Sequence, residues 1–264
     1  MPTLAPPLRI WTRSVSSSLQ QCLRVASETP SLELARIQHA GYVAALRGLG
    51  IEVDELPALD TAPDAVFVED TAVIIGAHAL ITRPGAPERR GEVASIAAAL
   101  APHLQVHTME APACLDGGDV LRVGDHLYVG MSARTNADGV DQLAKFAVRQ
   151  GLTTRTIPVE AGLHLKSAVT ALDESTVIVD PNQLDPALLK ALGLRVIEAQ
   201  EPAGANVLAL GRWCITSAAA PKTATLLATL GHHVLPVEVD QFHIADGALT
   251  CLSLRVAAPG TWCV

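Results

Sequence analysis

Aromatic residues make up only 3% of this 264-residue chain, and charged residues only 17%. The sequence has no run of lysine or arginine and a net charge of −8, so we expect no nucleic-acid-binding surface. Apolar residues account for 49% of the chain, which predicts a sizeable core rather than disorder. The acidic balance also suits a small cationic ligand.

Long apolar runs and paired cysteines are absent as well. The longest candidate for a membrane span, 93–101, is far shorter than the roughly 18 residues required, so no membrane association is expected. The first 13 residues lack the apolar stretch of a secretory signal. The five cysteines (22, 114, 214, 251 and 263) form no CxxC pair, which argues against a disulfide framework and predicts a cytoplasmic protein.

Four β-hairpins follow one another along the chain at similar spacing. They begin at positions 73, 120, 169 and 207, and so recur every 38 to 49 residues, a period typical of propeller-like arrays. A helical pattern and a short strand follow each hairpin. The helices are predicted over 88–100, 138–150, 186–192 and 221–230.

The two ends of the chain together complete a fifth unit. A strand predicted over 249–256 has no helix after it, whereas a strand predicted over 8–12 precedes a helix over 32–49 and a strand over 51–56. Pairing the last strand with the first would close a ring. The sequence therefore predicts an α/β fold, a five-bladed pseudo-symmetric α/β propeller of hairpin–helix–strand units, as a single domain over 1–264.

Unusual polar residues lie in the segments that enter the hairpins and point toward the ring axis. The first segment carries three carboxylates within an apolar stretch, the second a carboxylate beside two glycines, the third a histidine between leucines, and the last a carboxylate and a thiol. These residues are Asp64, Glu69, Asp70, Asp116, His164, Asp246 and Cys251. The repeat is expected to bring them together although they are far apart in sequence.

Taken singly, each of these residues has a plain structural interpretation. Cys251 fits a small buried residue of an apolar strand, and His164 fits a core histidine with satisfied hydrogen bonds. Asp116 before Gly117 and Gly118 fits a tight turn. Their common position in the repeat is the observation that favours a functional site.

The residue types suit attack on a guanidinium group. This group is planar, delocalised and cationic, so carboxylates can hold it in its plane. A thiolate is a strong nucleophile, and a bound cation nearby lowers the pKa of the thiol. A histidine can then protonate the leaving amine and activate water against the thiouronium intermediate.

Six segments, in order and across nearly the whole chain, closely resemble the dimethylarginine dimethylaminohydrolase family. They are 67–70 (Phe-Val-Glu-Asp), 115–120 (Leu-Asp-Gly-Gly-Asp-Val), 132–136 (Ser-Ala-Arg-Thr-Asn), 163–167 (Leu-His-Leu-Lys-Ser), 204–206 (Gly-Ala-Asn) and 246–253 (Asp-Gly-Ala-Leu-Thr-Cys-Leu-Ser). That family belongs to the guanidine-modifying superfamily, whose five-bladed α/β propeller is called the pentein fold. The resemblance implies hydrolysis of methylated arginine to citrulline and a methylamine.

The resemblance also assigns roles to particular residues. Cys251 is the implied nucleophile and His164 the general acid/base, while Asp116 and Asp70 hold the guanidinium. Some family members have glutamate in place of Asp116. The implied substrate contacts are Asp64 and Glu69 as binding or bracing groups, Arg89 and Arg134 on the α-carboxylate, and Leu23, in a lid, with Ala245 and Asp246 at the amino-acid end.

Other interpretations stay open at this point. Arg89 and Arg134 also fit solvated surface charges, and an arginine or agmatine deiminase of the same superfamily would use the same Cys–His pair and carboxylates. A catalytically inactive ligand-binding propeller is a third alternative. No HExxH occurs, and His232 and His233 are adjacent, so no metal or other cofactor is expected. The expected partner is a small cationic methylarginine, and a homodimer is left open.

Overall fold

Three-stranded sheets, each with one antiparallel and one parallel pair of strands, form the framework of the protein. The computed structural model describes residues 9–25 and 27–256, and five such sheets lie within them. The strands are β1 (Arg9–Arg13), β2 (Glu52–Leu56), β3 (Ala72–Ile75), β4 (His78–Ile81), β5 (Gln105–Thr108), β6 (Val120–Val123), β7 (His126–Met131), β8 (Thr153–Pro158), β9 (Val169–Ala171), β10 (Thr176–Val179), β11 (Arg195–Glu198), β12 (Leu208–Leu210), β13 (Trp213–Ser217), β14 (His233–Val237) and β15 (Leu254–Val256).

Helices connect the parallel strands of each sheet. Ser31, Asn136 and Asp185 cap three of them by accepting a backbone N–H of the first turn. Proline occupies the first turn of two, where its missing N–H costs nothing. The helices are α1 (Leu32–Gly48), α2 (Val93–Leu100), α3 (Ala137–Val148), α4 (Leu165–Ala168), α5 (Pro186–Ala191), α6 (Pro221–Thr229) and α7 (Asp240–Ile244). Among the described residues, none of the helices has the length and apolar character needed to cross a bilayer.

The two ends of the chain meet in one sheet, as the sequence predicted. Strand β1 pairs with β15 in antiparallel orientation and with β2 in parallel orientation, with Ile10 opposite Arg255 and Val53. The other sheets have the orders β3-β4-β5, β6-β7-β8, β9-β10-β11 and β12-β13-β14. Cys263 and the first residue of the strand predicted over 8–12 lie outside the described residues.

In every sheet a single helical turn precedes the inner strand, which is the strand that pairs in antiparallel orientation with the central one. These turns are Val68–Thr71, Gly117–Asp119, α4, Pro202–Gly204 and Thr250–Leu252. They place the polar segments of the sequence at the inner ends of the five sheets. Apolar clusters fill the space between the sheets and their helices, for instance around Tyr42 in one unit and Leu127 in another.

Two predicted elements are shorter than the sequence indicated. The helix predicted over 88–100 is divided into the turn Pro87–Gly91 and α2, because the buried Arg89 side chain is directed inward to Asp70. The strand predicted over 249–256 begins only at Leu254, so Cys251 lies on a helical turn and not in a strand. The N–H of Thr250 is bonded to the Asn206 side chain and is therefore not available to a strand ladder.

Two helical glycines should respond to alanine in opposite ways. Gly41 of α1 has open space around an added Cβ, so Gly41→Ala is expected to raise the free energy of unfolding by about 0.5–1 kcal/mol. A Cβ on Gly139 of α3 would overlap the carbonyl of Cys114, so Gly139→Ala is expected to lower it by about 1–3 kcal/mol. Urea unfolding measures both values; equal effects of the same sign would contradict the packing of α3 on the Cys114 segment.

Candidate active site

The imidazole of His164 lies between two buried carboxylates. Its Nε2 is 2.9 Å from Oδ2 of Asp116, and its Nδ1 is 3.9 Å from Oδ1 of Asp70. Burial alone would lower the pKa of His164, but the charge of Asp70 and then the hydrogen bond to Asp116 raise it to about 9. At neutral pH the ring is therefore a cation and a proton donor.

Asp70 is held in place by a cation and a backbone amide. Arg89 Nη1 donates to Asp70 Oδ2 at 2.5 Å, and the N–H of Gly118 donates to Oδ1 at 2.9 Å. Burial would raise the pKa of Asp70, but the charges of His164 and Arg89 lower it to about 2. A Cβ on Gly118 would lie 2.7 Å from both Asp70 Oδ1 and His164 Nδ1, so this close approach requires glycine.

Asp116 is fully buried on the other side of the imidazole. The N–H of Gly85 donates to its Oδ1 at 2.8 Å, and Arg134 Nη1 lies 3.6 Å from its Oδ2. Arg134 is thus close to the carboxylate that the sequence predicted to hold a guanidinium.

Cys251 lines a cavity of about 640 Å³. Asp246 and Gly247 line the same cavity, as do Leu163 and Ser167 on either side of the His164 turn, and Val25 from the segment after β1. Burial and the negative charges of Glu69 and Asp70 raise the pKa of Cys251. The resting residue is therefore a neutral thiol that needs a nearby positive charge to ionise.

The segment after β1 is tied to two carboxylates of the site. The N–H of Leu23 lies 3.2 Å from each carboxylate oxygen of Asp64, and the N–H of Val25 donates to Oδ2 of Asp246 at 2.6 Å. Asp246 has a left-handed φ of 55°, which turns the chain sharply after the buried Ala245. Burial raises the pKa of Asp64. The predicted lid segment thus lies beside Asp64 and Asp246, two of the predicted substrate contacts.

Glu69 is directed away from His164 into a separate polar network. Its Oε1 accepts hydrogen bonds from Lys166 at 2.7 Å and from Arg255 at 2.8 Å, and its Oε2 accepts from the Thr250 hydroxyl at 2.9 Å. Burial would raise the pKa of Glu69, but the charges of Lys166 and Arg255 lower it. This geometry fits the bracing alternative that the sequence left open, because both carboxylate oxygens of Glu69 already accept hydrogen bonds from the protein.

Arg89 is also more deeply buried than the predicted carboxylate-binding role requires. Besides Asp70, its guanidinium donates to Glu92 and to the backbone carbonyls of Asp64 and Phe67. A substrate carboxylate that contacted Arg89 would have to be bound alongside these protein partners. The role of Arg89 stays a prediction, and the more exposed Arg134 is the better placed of the two arginines.

Several residues that support the site were not singled out from the sequence. Asp119 Oδ1 accepts the N–H of Leu165, next to His164, while Asp119 Oδ2 accepts the hydroxyls of Ser132 and Thr135. Its position at the end of the second polar segment was the available signal. The others are Lys166, Asn206, Thr250 and Arg255, whose partners lie in other units and so leave no local signature, and Glu92, whose partner Arg89 lies three residues before it.

Asp70, Asp116 and His164 could in principle ligate a metal ion. Among the described residues, one ligand atom of each lies within 4.8 Å of the others. A metal ion there would have to displace the proton of the imidazole and compete with Arg89 for Asp70. The expectation of no metal stays a prediction.

Comparison with known proteins gives a consistent result. The family model described as arginine deiminase matches residues 57–192. The N(G),N(G)-dimethylarginine dimethylaminohydrolase of Streptomyces coelicolor is 44% identical over 84% of this chain and 86% of its own length, and that of Pseudomonas aeruginosa is 33% identical over 86% and 90%. A structure of the Pseudomonas enzyme, as a cysteine-to-serine variant with citrulline, superposes with a TM-score of 0.89 at 32% identity, covering 94% of this chain and 98% of that one.

The fold and the arrangement of the site define a guanidine-modifying enzyme with a five-bladed α/β propeller. The chain belongs to the dimethylarginine dimethylaminohydrolase family. Both the predicted fold and the predicted family are thereby confirmed. The N-terminal domain of the arginine dihydrolase ArgZ has the same fold, with a TM-score of 0.82 at 19% identity over 96% of this chain and 98% of that one.

Removing the charge of Asp70 should lower the pKa of His164. Asp70→Asn removes the strongest interaction that raises this pKa from its usual 6.5 to about 9, so the imidazole of the variant should titrate well below about 9. Titration of the ring followed by NMR measures the value in the unliganded protein. Asp240→Asn, an exposed carboxylate on α7, is the matched control and should leave the His164 titration unchanged.

Proposed function

We propose that the protein hydrolyses asymmetric dimethylarginine or monomethylarginine to citrulline and the methylamine, with Cys251 as nucleophile and His164 as general acid/base. The observation that carries this proposal is the protonated imidazole held between Asp70 and Asp116, in the same ring of turns that presents Cys251 to a cavity. The names of the bacterial relatives agree with it, as do the Pseudomonas structure with citrulline and a dimethylarginine dimethylaminohydrolase structure with an S-methyl-L-thiocitrulline adduct.

Asp70 and Asp116 would hold the substrate guanidinium in its plane. Both carboxylates are buried at the inner ends of neighbouring units, and Asp70 stays ionised because its pKa is about 2. Two carboxyl groups in a poorly solvated site attract a planar cation strongly. In the resting site the charged His164 ring interacts with both carboxylates, and the bound guanidinium would take over part of this interaction.

The same cation would activate the nucleophile. Glu69 and Asp70 together with burial keep Cys251 protonated, and a guanidinium beside the sulfur would favour the thiolate. The thiol proton leaves to solvent when the substrate binds, since His164 already carries its own proton. The thiolate attacks the guanidinium carbon, and the protonated His164 gives its proton to the departing methylamine as the carbon–nitrogen bond breaks. The product is a thiouronium on Cys251.

The second half of the reaction uses the same histidine in its neutral form. His164 removes a proton from water, and the resulting hydroxide attacks the thiouronium carbon. The carbon–sulfur bond then breaks, and the hydroxyl proton of the tetrahedral adduct passes to the departing sulfur. Citrulline leaves, Cys251 is again a neutral thiol, and His164 keeps the proton that it took from water. One imidazole thus acts as acid in the first step and as base in the second.

The amino-acid end of the substrate would lie between the lid and the turn before Cys251. Asp64, Asp246 and the carbonyls of Leu23 and Ala245 are suited to an ammonium group. Arg134 is suited to the α-carboxylate, with Arg89 as the second predicted contact. Asp64 and Asp246 already accept backbone N–H groups of the lid, which supports their use as acceptors for an ammonium group.

Hydrolysis of unmethylated arginine is the second candidate function. The match to the arginine deiminase family model and the 28% identity over 47% of this chain with the arginine deiminase of Listeria welshimeri favour it as the alternative. The carboxylates and the Cys–His pair would serve both reactions, so the substrate alone distinguishes them.

The proposal extends to domain organisation, location and assembly. Residues 1–264 form one domain, since β1 and β15 join the two ends of the described chain. A cytoplasmic location agrees with Cys22, Cys114, Cys214 and Cys251 being free. A homodimer stays a prediction.

Cys251→Ser should abolish turnover and leave the fold intact. A hydroxyl has a much higher pKa than a thiol, and the bound cation cannot ionise it to a useful extent. The measurement is citrulline formation together with the thermal unfolding midpoint. Cys114→Ser is the matched control, because Cys114 lies outside the cavity lining, and it should retain activity. Loss of activity in Cys114→Ser with retention in Cys251→Ser would overturn the assignment of the nucleophile.

Asymmetric dimethylarginine should be hydrolysed with a higher kcat/KM than arginine, and agmatine should be a poor substrate. Unmethylated arginine brings additional N–H donors, and each buried donor without a partner costs about 1–3 kcal/mol, or roughly ten- to hundred-fold. Agmatine lacks the α-carboxylate that Arg134 would bind. Steady-state assays of both amino acids, monomethylarginine and agmatine give the comparison. A preference for arginine or agmatine would favour a deiminase.

A further inference from the structure

The side chain of Asn206 connects the two segments that carry the catalytic pair. It lies before β12, in the unit between that of His164 and that of Cys251. Its Nδ2 donates to the carbonyl of Lys166 at 2.9 Å and to the hydroxyl of Thr250 at 3.0 Å, and its Oδ1 accepts the N–H of Thr250 at 3.0 Å. Lys166 is two residues after His164, and Thr250 is one residue before Cys251.

The chemistry of the partners determines the orientation of the Asn206 amide. The N–H of Thr250 can only donate and the carbonyl of Lys166 can only accept, so Oδ1 faces the former and Nδ2 the latter. The hydroxyl of Thr250 gives its single proton to Glu69 Oε2, which leaves it as an acceptor for Nδ2. An aspartate at this position would bring a carboxylate against the carbonyl and hydroxyl oxygens.

The backbone around Asn206 is itself anchored to the His164 unit. The hydroxyl of Thr170, in β9, donates to the carbonyl of Ala205 at 2.7 Å and accepts the N–H of Val207 at 3.0 Å. Asn206 and Thr250 are both buried, at 4% and 3% exposure, so water does not compete for these bonds. The amide is therefore a rigid link and has little freedom to follow a displaced neighbour.

We propose that Asn206 is a positioning residue that sets the sulfur of Cys251 relative to the imidazole of His164. This role rests on the proposed function, because it concerns the same two catalytic residues, Cys251 and His164. Asn206 holds the Cys251 turn close to Glu69 and Asp70, whose charges keep the thiol protonated until a cation binds. Releasing the turn would let the sulfur move toward solvent and away from both carboxylates.

Asn206→Ala should therefore have opposite effects on turnover and on simple thiol reactivity. Misplacement of a reacting group by about 1 Å costs up to roughly 10²-fold, so kcat for asymmetric dimethylarginine should fall by about ten- to hundred-fold with KM changed less than about threefold. Alkylation of Cys251 by iodoacetamide at a fixed near-neutral pH, followed by peptide mass mapping, should become faster, because a better solvated thiol ionises more readily.

A second variant and a control separate positioning from general destabilisation. Asn206→Asp keeps the size of the side chain and the acceptor for the N–H of Thr250 but places an oxygen where the amide donates to Lys166 and Thr250, so it should lower kcat as Asn206→Ala does. Asn182→Ala removes an exposed asparagine amide bonded to Asp180 and should match the wild type in kcat, KM and alkylation rate. All variants are assayed well below their thermal unfolding midpoints.

Either of two results would overturn the role of Asn206: a kcat within about twofold of the wild type, or an unchanged or slower alkylation of Cys251. A fall in kcat that merely follows the folded fraction would also overturn it. If the wild-type protein fails to hydrolyse dimethylarginine, the proposed function fails, whereas the alkylation comparison still decides whether Asn206 positions Cys251.

Discussion

The buried carboxylate of Glu69 is the point at which the units of the propeller meet. It comes from the turn before β3, and it binds Lys166 from α4 and both Arg255 and Thr250 from the last unit. A Cβ on Gly117, in the turn before β6, would overlap the backbone of Glu69, so that unit packs directly against it. Asn206, from the remaining unit with β12–β14, joins this network through its hydrogen bond to Thr250. A buried charge is stable only when it is paired, so Glu69 can be buried only if the ring closes and brings its partners to it. In turn, the hydrogen bonds of Glu69 align the units of the ring.

The electrostatics of the site follow from this arrangement. Asp70, Asp116 and Asp119 surround His164, and burial makes each charge effective over a longer distance than it would be in water. The result is a protonated histidine and a neutral thiol at rest, which is an unreactive combination. In the proposed mechanism a bound guanidinium changes the thiol, because it supplies the positive charge that the thiol lacks, while His164 keeps its proton for the leaving amine. Such a site would be selective for cations through activation as well as through binding.

The sequence predicted the fold well because the repeat is visible in local patterns. Four hairpins, the helices after them and the pairing of the two chain ends all follow from apolar periodicity and turn residues. The structure also brings His164, Asp70 and Asp116 together, as the repeat indicated. Local patterns failed where a side chain from another unit decides the conformation. The turn that carries Cys251 depends on Asn206, and the break before α2 depends on the contact of Arg89 with Asp70.

The same reason explains which site residues the sequence could not resolve. The resemblance gave Arg89 and Glu69 roles at the substrate, but it could not show that their polar atoms are engaged by Glu92, Lys166 and other buried partners. The pairing of Glu69 with Lys166 joins residues far apart in sequence and leaves no periodic signal, whereas Arg89 and Glu92 are only three residues apart. Asp119, by contrast, lay within a recognised polar segment, and its contact with the amide after His164 is a consequence of that position.

The central claim is that Cys251 attacks the guanidinium carbon and carries the substrate through a covalent intermediate. The most direct measurement is rapid acid quenching of the wild-type enzyme during turnover of asymmetric dimethylarginine, followed by intact-protein and peptide mass spectrometry. The account predicts a transient mass increase equal to the substrate minus dimethylamine, located on Cys251. Citrulline formation with no adduct at any quench time, or an adduct on another residue, would contradict it.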